Sequence, residues 1–228
     1  MELIIIIIAI IAILIIYSMM KMNIKEMKEI ALEPELNKIA QKYPKNIEIA
    51  KSILEKLENR TTKIKENENS EATLYIAIQD KILIGNTHNS YTRIQTIAHE
   101  CLHSIQNRKM LIFNFIYSNI YFAFFVTICA LVILRKLPNE TMYSNIFLIL
   151  SFIYYVVRVF LENDAMIKAQ YLAKEYMEGQ GCATEDEIEK VVYGFEQLNR
   201  GCIKGTNCSL FANIMIKLVF FNALALIF

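Results

Sequence analysis

Four long apolar runs constrain this 228-residue chain more than any other feature of its sequence. They cover residues 3–20, 111–134, 142–161 and 210–228 and contain few or no charged side chains. A helix needs about 20 predominantly apolar residues to cross the hydrocarbon core of a bilayer. Together with a hydrophobic content of 55% and a mean hydropathy of +0.33, the runs predict an integral membrane protein. The expected fold is mainly α, with about four transmembrane helices.

The first run is predicted to be an uncleaved anchor. A signal peptide begins with a basic region and ends at a small-residue cleavage site. This run begins "MEL" and ends "YSMMKMNIK", so it has neither feature.

The positions of the basic residues predict an orientation. Lys and Arg are frequent in the segments 21–110 and 162–209, whereas the loop between the second and third runs has only Arg135 and Lys136. By the positive-inside rule, this favours an outside N-terminus and two cytoplasmic segments. The predicted regions are an anchor at 1–20, a cytoplasmic region with a strand and a histidine helix at 21–110, a transmembrane hairpin at 111–161, cytoplasmic helices at 162–209, and a C-terminal transmembrane helix at 210–228.

The net charge and the cysteines give no sign of a nucleic-acid partner or of a disulfide framework. A net charge of +1, without a long basic run, gives no indication of a nucleic-acid partner. Five cysteines, one of them inside a predicted span, are not typical of a disulfide framework. Cys182, Cys202 and Cys208 are expected to be reduced thiols, because their spacing fits no common zinc pattern.

The segments between the spans contain helical and extended patterns. Helices are expected at 34–43 and 46–58, followed by a polar linker at 59–71. Alternating apolar residues within 74–85 predict a strand or small hairpin. A further helix is expected from near "NSYT", running into or up to the second run. Thr184 and Glu187 form a capping-box pattern at the start of another helix.

The segment "TIAHECLHSIQ", residues 96–106, holds two of the three histidines of the chain. Residues four apart stack on one face of a helix, so His99 and His103 can point at a single metal ion. Glu100 is turned by about 100° from His99, so it can reach a metal-bound water without ligating the ion. This is the physical reason for the H-E-x-x-H spacing of zinc hydrolases.

A catalytic zinc site needs a third protein ligand and an open position for water. His88, on the turn before the helix, is one candidate. Glu162 is preferred, because the hairpin of the second and third runs returns the chain to the membrane face that it left. Ala165 and Ala169 follow Glu162 on the same helix face, and small residues there allow close packing against the histidine helix. A purely interfacial role of Glu162, paired with Arg158, is the alternative.

These residues resemble the bacterial membrane neutral zinc metallopeptidase family (YugP-like), which is of the gluzincin type. The family pairs an A-H-E-x-G-H-A-x-Q motif with a later E-x-D-A-x-x-x-A-x-x-L segment, and residues 97–106 and 162–172 match them. Leu102 and Ser104 depart from the family's usual Gly and Ala. The match to the HtpX and CAAX-prenyl-protease type is poorer, because those proteins carry E-x-x-x-D and position 166 here is Met.

The resemblance implies a small zincin-like part in the cytoplasm of a bacterial cell and a Zn²⁺ cofactor. His99, His103 and Glu162 are implied as ligands and Glu100 as the catalytic base, while Asp164 is expected to support the ligands. The implied activity is hydrolysis of protein or peptide substrates, membrane proteins among them, at the lipid bilayer. His88 and Tyr91 are candidate donors to the oxyanion, and the strand within 74–85 is a candidate edge for an extended substrate.

Three other functions are compatible with the sequence. A non-catalytic or regulatory membrane protein can retain a zinc site. An intramembrane protease is disfavoured, because the histidines lie outside the apolar runs. A transporter is disfavoured because no run carries the paired buried charges of a transport path.

Overall fold

Long helices and one small sheet make up the part of the chain that the computed structural model describes, which is residues 2–20, 30–31, 33–67, 69–70, 72–87 and 90–228. The helices are α1 (Glu2–Met20), α2 (Pro34–Gln41), α3 (Asn46–Lys56), α4 (Arg93–Ile105), α5 (Arg108–Ile133), α6 (Glu140–Gln180) and α7 (Glu185–Ile227), and the strands are β1 (Lys63–Asn67), β2 (Leu74–Ile76) and β3 (Lys81–Gly85). The prediction of a mainly α chain with a small β element is therefore confirmed.

The chain divides into two compact units. The helical unit comprises Met1–Met22, Phe113–Phe160 and Lys204–Phe228, and the mixed unit comprises Asn23–Ile112 and Leu161–Ile203. Helices α5, α6 and α7 each contribute residues to both units. The sheet and the histidine helix α4 belong to the mixed unit.

Aromatic stacking and a few polar pairs hold the helical unit together. The Tyr121 ring stacks on Phe147 and Tyr154, with ring centroids 5.2 and 5.1 Å apart. Its hydroxyl lies 3.0 Å from the Ser151 hydroxyl. Buried polar groups need such partners, because an unpaired group loses its hydration without compensation.

Three helices, α5, α6 and α7, are long and apolar enough to cross a membrane. Only 22%, 22% and 28% of their most apolar stretches are buried inside the protein. The remaining apolar side chains need another apolar environment, so these helices are compatible with membrane insertion. The apolar part of α1, Glu2–Ser18, is shorter than this length, so the described residues support three spans where the sequence predicts about four.

The sheet has the strand order β1-β3-β2. Its central strand β3 pairs in parallel with β1 and antiparallel with β2. Ile82 and Ile84 of β3 are buried in the core of the mixed unit. The β2–β3 hairpin lies within the segment 74–85, where the sequence predicts it, and β2 forms one edge of the sheet.

Strand β1 lies in the segment 59–71, and the prediction of a polar linker there is wrong. Its sequence "KIKEN" has one apolar residue, so its own pattern gives no strand signal. The strand forms because β3 provides a partner for its backbone. Asn59 shapes the preceding turn by accepting hydrogen bonds from the backbone of Thr61 and Thr62, at 3.1 and 3.2 Å.

A buried arginine fixes the start of α4. Arg93 is fully buried, and its guanidinium donates to the carbonyl oxygens of Ala40, Tyr43 and Pro44, each at 2.8 Å. It also donates to the Asn46 side chain at 2.7 Å. These bonds join the turn between α2 and α3 to the helix that carries both histidines.

Helix α7 begins with the predicted capping box. The Thr184 backbone donates to Glu187 Oε2 at 3.0 Å, and the Glu187 backbone donates to Thr184 Oγ1 at 3.3 Å. The expected break before residue 210 is absent, because α7 continues through Gly201 and Gly205. Each glycine costs about 1 kcal/mol relative to alanine in a helix, whereas a break exposes the backbone groups of two helix ends.

All five cysteines are free, as predicted. Cys101 and Cys129 are buried, and Cys202 is exposed. No disulfide therefore contributes to either unit.

Candidate metal centre

Helix α4 places both histidine rings on one face. The ring centroids of His99 and His103 are 4.5 Å apart, and their Nε2 atoms are 3.0 Å apart. His103 is buried and the His99 side chain is 16% exposed. Two ring nitrogens at this separation share a single point to which both can present a lone pair, as the four-residue spacing predicts.

Helix α6 brings Glu162 to the same point. Its Oε2 atom lies 3.5 Å from His99 Nε2 and 3.7 Å from His103 Nε2. Ala165 and Ala169, the small residues on the same helix, are buried in one core cluster with Ala98 and Cys101 of α4. Small side chains thus line the packing of α6 against α4, and the carboxylate reaches the two imidazoles.

The ligand atoms of His99, His103 and Glu162 all lie within 4.8 Å of one another, and they form a group that can hold a metal ion. Bonds of about 2.0–2.1 Å in a tetrahedral zinc site separate neighbouring ligand atoms by about 3.4 Å. The three observed separations, 3.0, 3.5 and 3.7 Å, bracket that value. Two imidazoles and a carboxylate are also a donor set that zinc uses in hydrolases, so the residues fit this ion.

Glu100 lies beside this group and is held by strand β2. The Tyr75 backbone N–H donates to Glu100 Oε2 at 2.6 Å, and Glu100 Oε1 lies 3.9 Å from His99 Nε2. Because one carboxylate oxygen is fixed by the strand, the other keeps a defined position near the histidines.

Gln106 forms a hydrogen bond with His103 Nδ1, the ring nitrogen that does not face His99 and Glu162. His103 Nδ1 donates to Gln106 Oε1 at 2.8 Å, which leaves the Nε2 lone pair for an ion. Gln106 Nε2 donates to the Leu161 carbonyl at 2.9 Å and to Asp164 Oδ2 at 3.0 Å. Asp164 therefore contacts the residue that bonds to His103, and Lys168 Nζ lies 2.6 Å from Asp164 Oδ1.

Burial and charge shift the pKa values of two groups in the site. Burial raises the pKa of the Glu100 carboxyl above its ordinary value, against the opposing charges of the histidines. For His103, burial lowers the pKa, but a hydrogen bond to Glu162 and the charge of Glu100 outweigh it and raise the pKa overall. The carboxylates of Glu100 and Glu162 thus favour positive charge beside the two histidines. Either protonated imidazoles or a bound cation can provide that charge.

The remaining predicted site residues are placed elsewhere or lie outside the described residues. His88 is outside the described residues. Tyr91 is fully buried, its ring stacks on Phe195 with centroids 5.8 Å apart, and its hydroxyl has no hydrogen-bond partner among the described residues. A hydroxyl without solvent access does not meet a substrate, so the structure gives Tyr91 a packing role.

The two departures from the family motif have local explanations. Leu102 is buried in the core of the mixed unit, where its side chain fills space that glycine would leave. The Ser104 hydroxyl donates to the Cys101 carbonyl at 2.6 Å and accepts from Asn59 at 2.9 Å. Neither side chain contributes an atom to the group that can hold an ion.

Comparison with known proteins adds no relative, since no family model matches the chain and no curated protein or solved structure matches it either. The fold and the site define a mainly helical protein with three membrane-length apolar helices and a His-His-Glu group that can bind a metal ion.

From the sequence, Gln106 is identified only as the last residue of the matched motif, with no role in the site assigned to it, and the Tyr75 N–H is not identified. Gln106 follows His103 by three positions, a spacing that places two side chains of a helix on one face, and this signal was available. The Tyr75 N–H carries no such signal, because its role depends on where β2 lies in the folded chain.

Proposed function

We propose that this protein is a membrane-bound zinc metalloendopeptidase, as its resemblance to the YugP-like family implies. The observation that supports the proposal most strongly is the convergence of His99, His103 and Glu162 beside Glu100. The proposed site faces the cytoplasm of a bacterial cell, and its substrates are proteins or peptides, membrane proteins included. The family resemblance rests on the two motifs alone.

When bound, a zinc ion lowers the pKa of a water molecule toward about 7 and polarises the scissile carbonyl. Glu100 Oε1 takes a proton from the attacking water and gives it to the leaving amine. The Tyr75 N–H holds Glu100 Oε2 throughout. Gln106 keeps His103 in the tautomer that presents Nε2.

Strand β2 supports the proposal of an extended substrate. Its Tyr75 N–H points to Glu100 rather than to β3, so the second edge of β2 lies at the site. A peptide can add to a strand edge by main-chain hydrogen bonds, here without the Tyr75 N–H, which is bonded to Glu100. Leu74, which is 39% exposed, offers an apolar contact on that strand.

The test compares zinc content and cleavage of β-casein for the purified full chain and its variants. In Glu100→Gln we expect an unchanged zinc content and cleavage slower by about 10²–10⁴-fold, since only the general base is lost. In Glu162→Ala we expect loss of bound zinc. Glu178→Ala is the matched control, because Glu178 lies on the same helix, half-exposed, beside Lys174.

Two outcomes would overturn parts of the proposal. If His88→Ala empties the site and Glu162→Ala does not, His88 is the third ligand. If the wild type binds one zinc ion but cleaves neither β-casein nor a mixed peptide library, the alternative of a non-catalytic membrane protein with a zinc site is correct.

A further inference from the structure

One end of the mixed unit is where the chain leaves for the apolar helices. Helix α5 begins at Arg108, and the third apolar run ends at Leu161 of α6. Gln106 Nε2 donates to the Leu161 carbonyl at 2.9 Å. A hydrogen bond therefore joins the residue just before α5 to the part of α6 where the third apolar run ends. Both segments continue into predicted spans.

The turn between β2 and β3 is held at this same end by an unbroken series of hydrogen bonds. Thr62 Oγ1 donates to Asp80 Oδ1 at 2.7 Å, and Asn59 Nδ2 donates to Thr62 Oγ1 at 2.9 Å. Asn59 Nδ2 also donates to the hydroxyl of Ser104, near the end of α4, at 2.9 Å. The turn is thus fixed relative to the last residues of α4.

Two large aliphatic side chains are exposed at this end. Ile78, on the β2–β3 turn, is 53% exposed, and Ile105, the last residue of α4, is 48% exposed. Most exposed large apolar side chains of the described residues belong to the membrane-length helices, whereas Ile78 and Ile105 lie outside them.

Basic side chains surround these two isoleucines. The sheet register places Lys63 beside Lys81, and Arg108 and Lys109 are exposed at the start of α5. Among the described residues, none of the basic side chains at this end has a carboxylate within 4.0 Å. We call this surface the sheet-end patch; it comprises Arg60, Lys63, Ile78, Lys81, Ile105, Arg108 and Lys109.

We propose that the sheet-end patch docks onto the surface of an anionic bilayer, with Ile78 and Ile105 in the interfacial layer and the basic side chains among the lipid headgroups. Exposed aliphatic residues flanked by Lys and Arg are the composition that such a surface binds, and the charge of Arg108 also acts on the nearby Asp80 carboxylate. The patch also includes Arg108 and Lys109, the first residues of α5, whose later residues belong to one of the three membrane-length apolar helices. This inference does not depend on metal binding or on peptidase activity.

The test uses single tryptophans, since the chain contains none. Ile78→Trp, in the full chain reconstituted into vesicles with phosphatidylglycerol, is expected to show blue-shifted emission and quenching by brominated lipid. Tyr193→Trp is the matched control: Tyr193 is 64% exposed on α7, about 25 Å along the helix from residue 210. Its emission is expected to respond to an aqueous quencher and not to brominated lipid.

The charge contribution is tested in the Ile78→Trp background. Replacing Arg60, Lys63 and Lys81 by glutamine is expected to reduce lipid quenching in phosphatidylglycerol vesicles by several-fold, whereas replacing the exposed lysines 38, 51 and 190 leaves it unchanged. The proposal is overturned if Ile78→Trp is as accessible to the aqueous quencher as Tyr193→Trp in vesicles with and without phosphatidylglycerol. It is also overturned if the two triple substitutions have equal effects.

Discussion

Gln106 joins the two helices that provide the His-His-Glu group. Its side-chain amide accepts a hydrogen bond from His103 Nδ1 and donates hydrogen bonds to the Leu161 carbonyl and the Asp164 carboxylate of α6. It therefore affects both the orientation of the His103 ring and the distance between α4 and α6. Hydrogen bonds behind a ligating histidine fix its tautomer and raise its basicity. The affinity of the site for an ion therefore depends on a residue that does not touch the ion.

We predict that Gln106→Leu weakens zinc binding by about 10–100-fold, because the His103 ring loses its fixed orientation. Competition with a chromophoric chelator measures the affinity. Gln180→Leu is the control, since Gln180 is exposed at the end of α6. Equal zinc affinity in Gln106→Leu and the wild type would show that the His103 ring is held by packing alone.

The sequence predicts much of this site because helical spacing is a local property. Two histidines and a glutamate within five residues need only a helix to share a face, and α4 provides it. Glu162 is predicted from the hairpin and from the small residues that follow it. The Tyr75 N–H was not predictable, since a backbone group looks the same at every position of the sequence and only the fold selects one.

At the scale of elements, the β2–β3 turn depends on Asp80. This residue has a positive φ of 46°, and its carboxylate accepts hydrogen bonds from Thr62, Tyr75 and Thr61 at 2.7, 3.0 and 3.1 Å. Partial burial raises its pKa, but these hydrogen bonds outweigh that effect and lower the pKa below the ordinary 3.8. The ionised form therefore stabilises the folded turn.

We predict that Asp80→Asn lowers the thermal unfolding midpoint at pH 7, and that the difference from the wild type decreases below about pH 4. The sign follows from linkage: a carboxyl with a lowered pKa stabilises the fold above its unfolded pKa, and this is lost as pH falls through the folded pKa. Asparagine also tolerates positive φ, so the backbone conformation is kept. Midpoints at pH 7, 5 and 3, with the exposed Glu189→Gln as control, test this. A difference that does not change with pH would contradict it.

The elements differ in how well the sequence predicts them. Helices α2, α3 and α4 follow amphipathic patterns, and the Thr184 capping box marks the start of α7 correctly. Strand β1 depends on parallel pairing with β3, from which it is separated in the chain by strand β2, and such a long-range contact leaves no mark in "KIKEN". The continuity of α7 through two glycines is also hidden, since glycine is typical of both helix ends and loops.

For the molecule as a whole, an ion at the His-His-Glu group would cross-link α4 to α6. A ligand that binds only the folded state stabilises it by about 2.7 kcal/mol at 100 times its Kd. We predict that zinc at this excess raises the unfolding midpoint of the full chain by about 5–10 °C, since 1 kcal/mol corresponds to about 2–4 °C at this size.

Differential scanning fluorimetry with a thiol-independent dye measures this shift. In His103→Ala the zinc-dependent rise should vanish, while Glu178→Ala should retain it. An equal rise in His103→Ala would mean that the stabilising ion binds elsewhere in the chain.

His103 and Glu162, two members of the His-His-Glu group, are separated by about sixty residues, and that interval contains the whole of α5 and the apolar part of α6. During synthesis both histidines emerge from the ribosome first, and the carboxylate follows only after the intervening hairpin has been made. A nascent chain that ends before this interval has been made contains both imidazoles but not the Glu162 carboxylate. The His-His-Glu group can therefore form only after α5 and the apolar part of α6 have been synthesised.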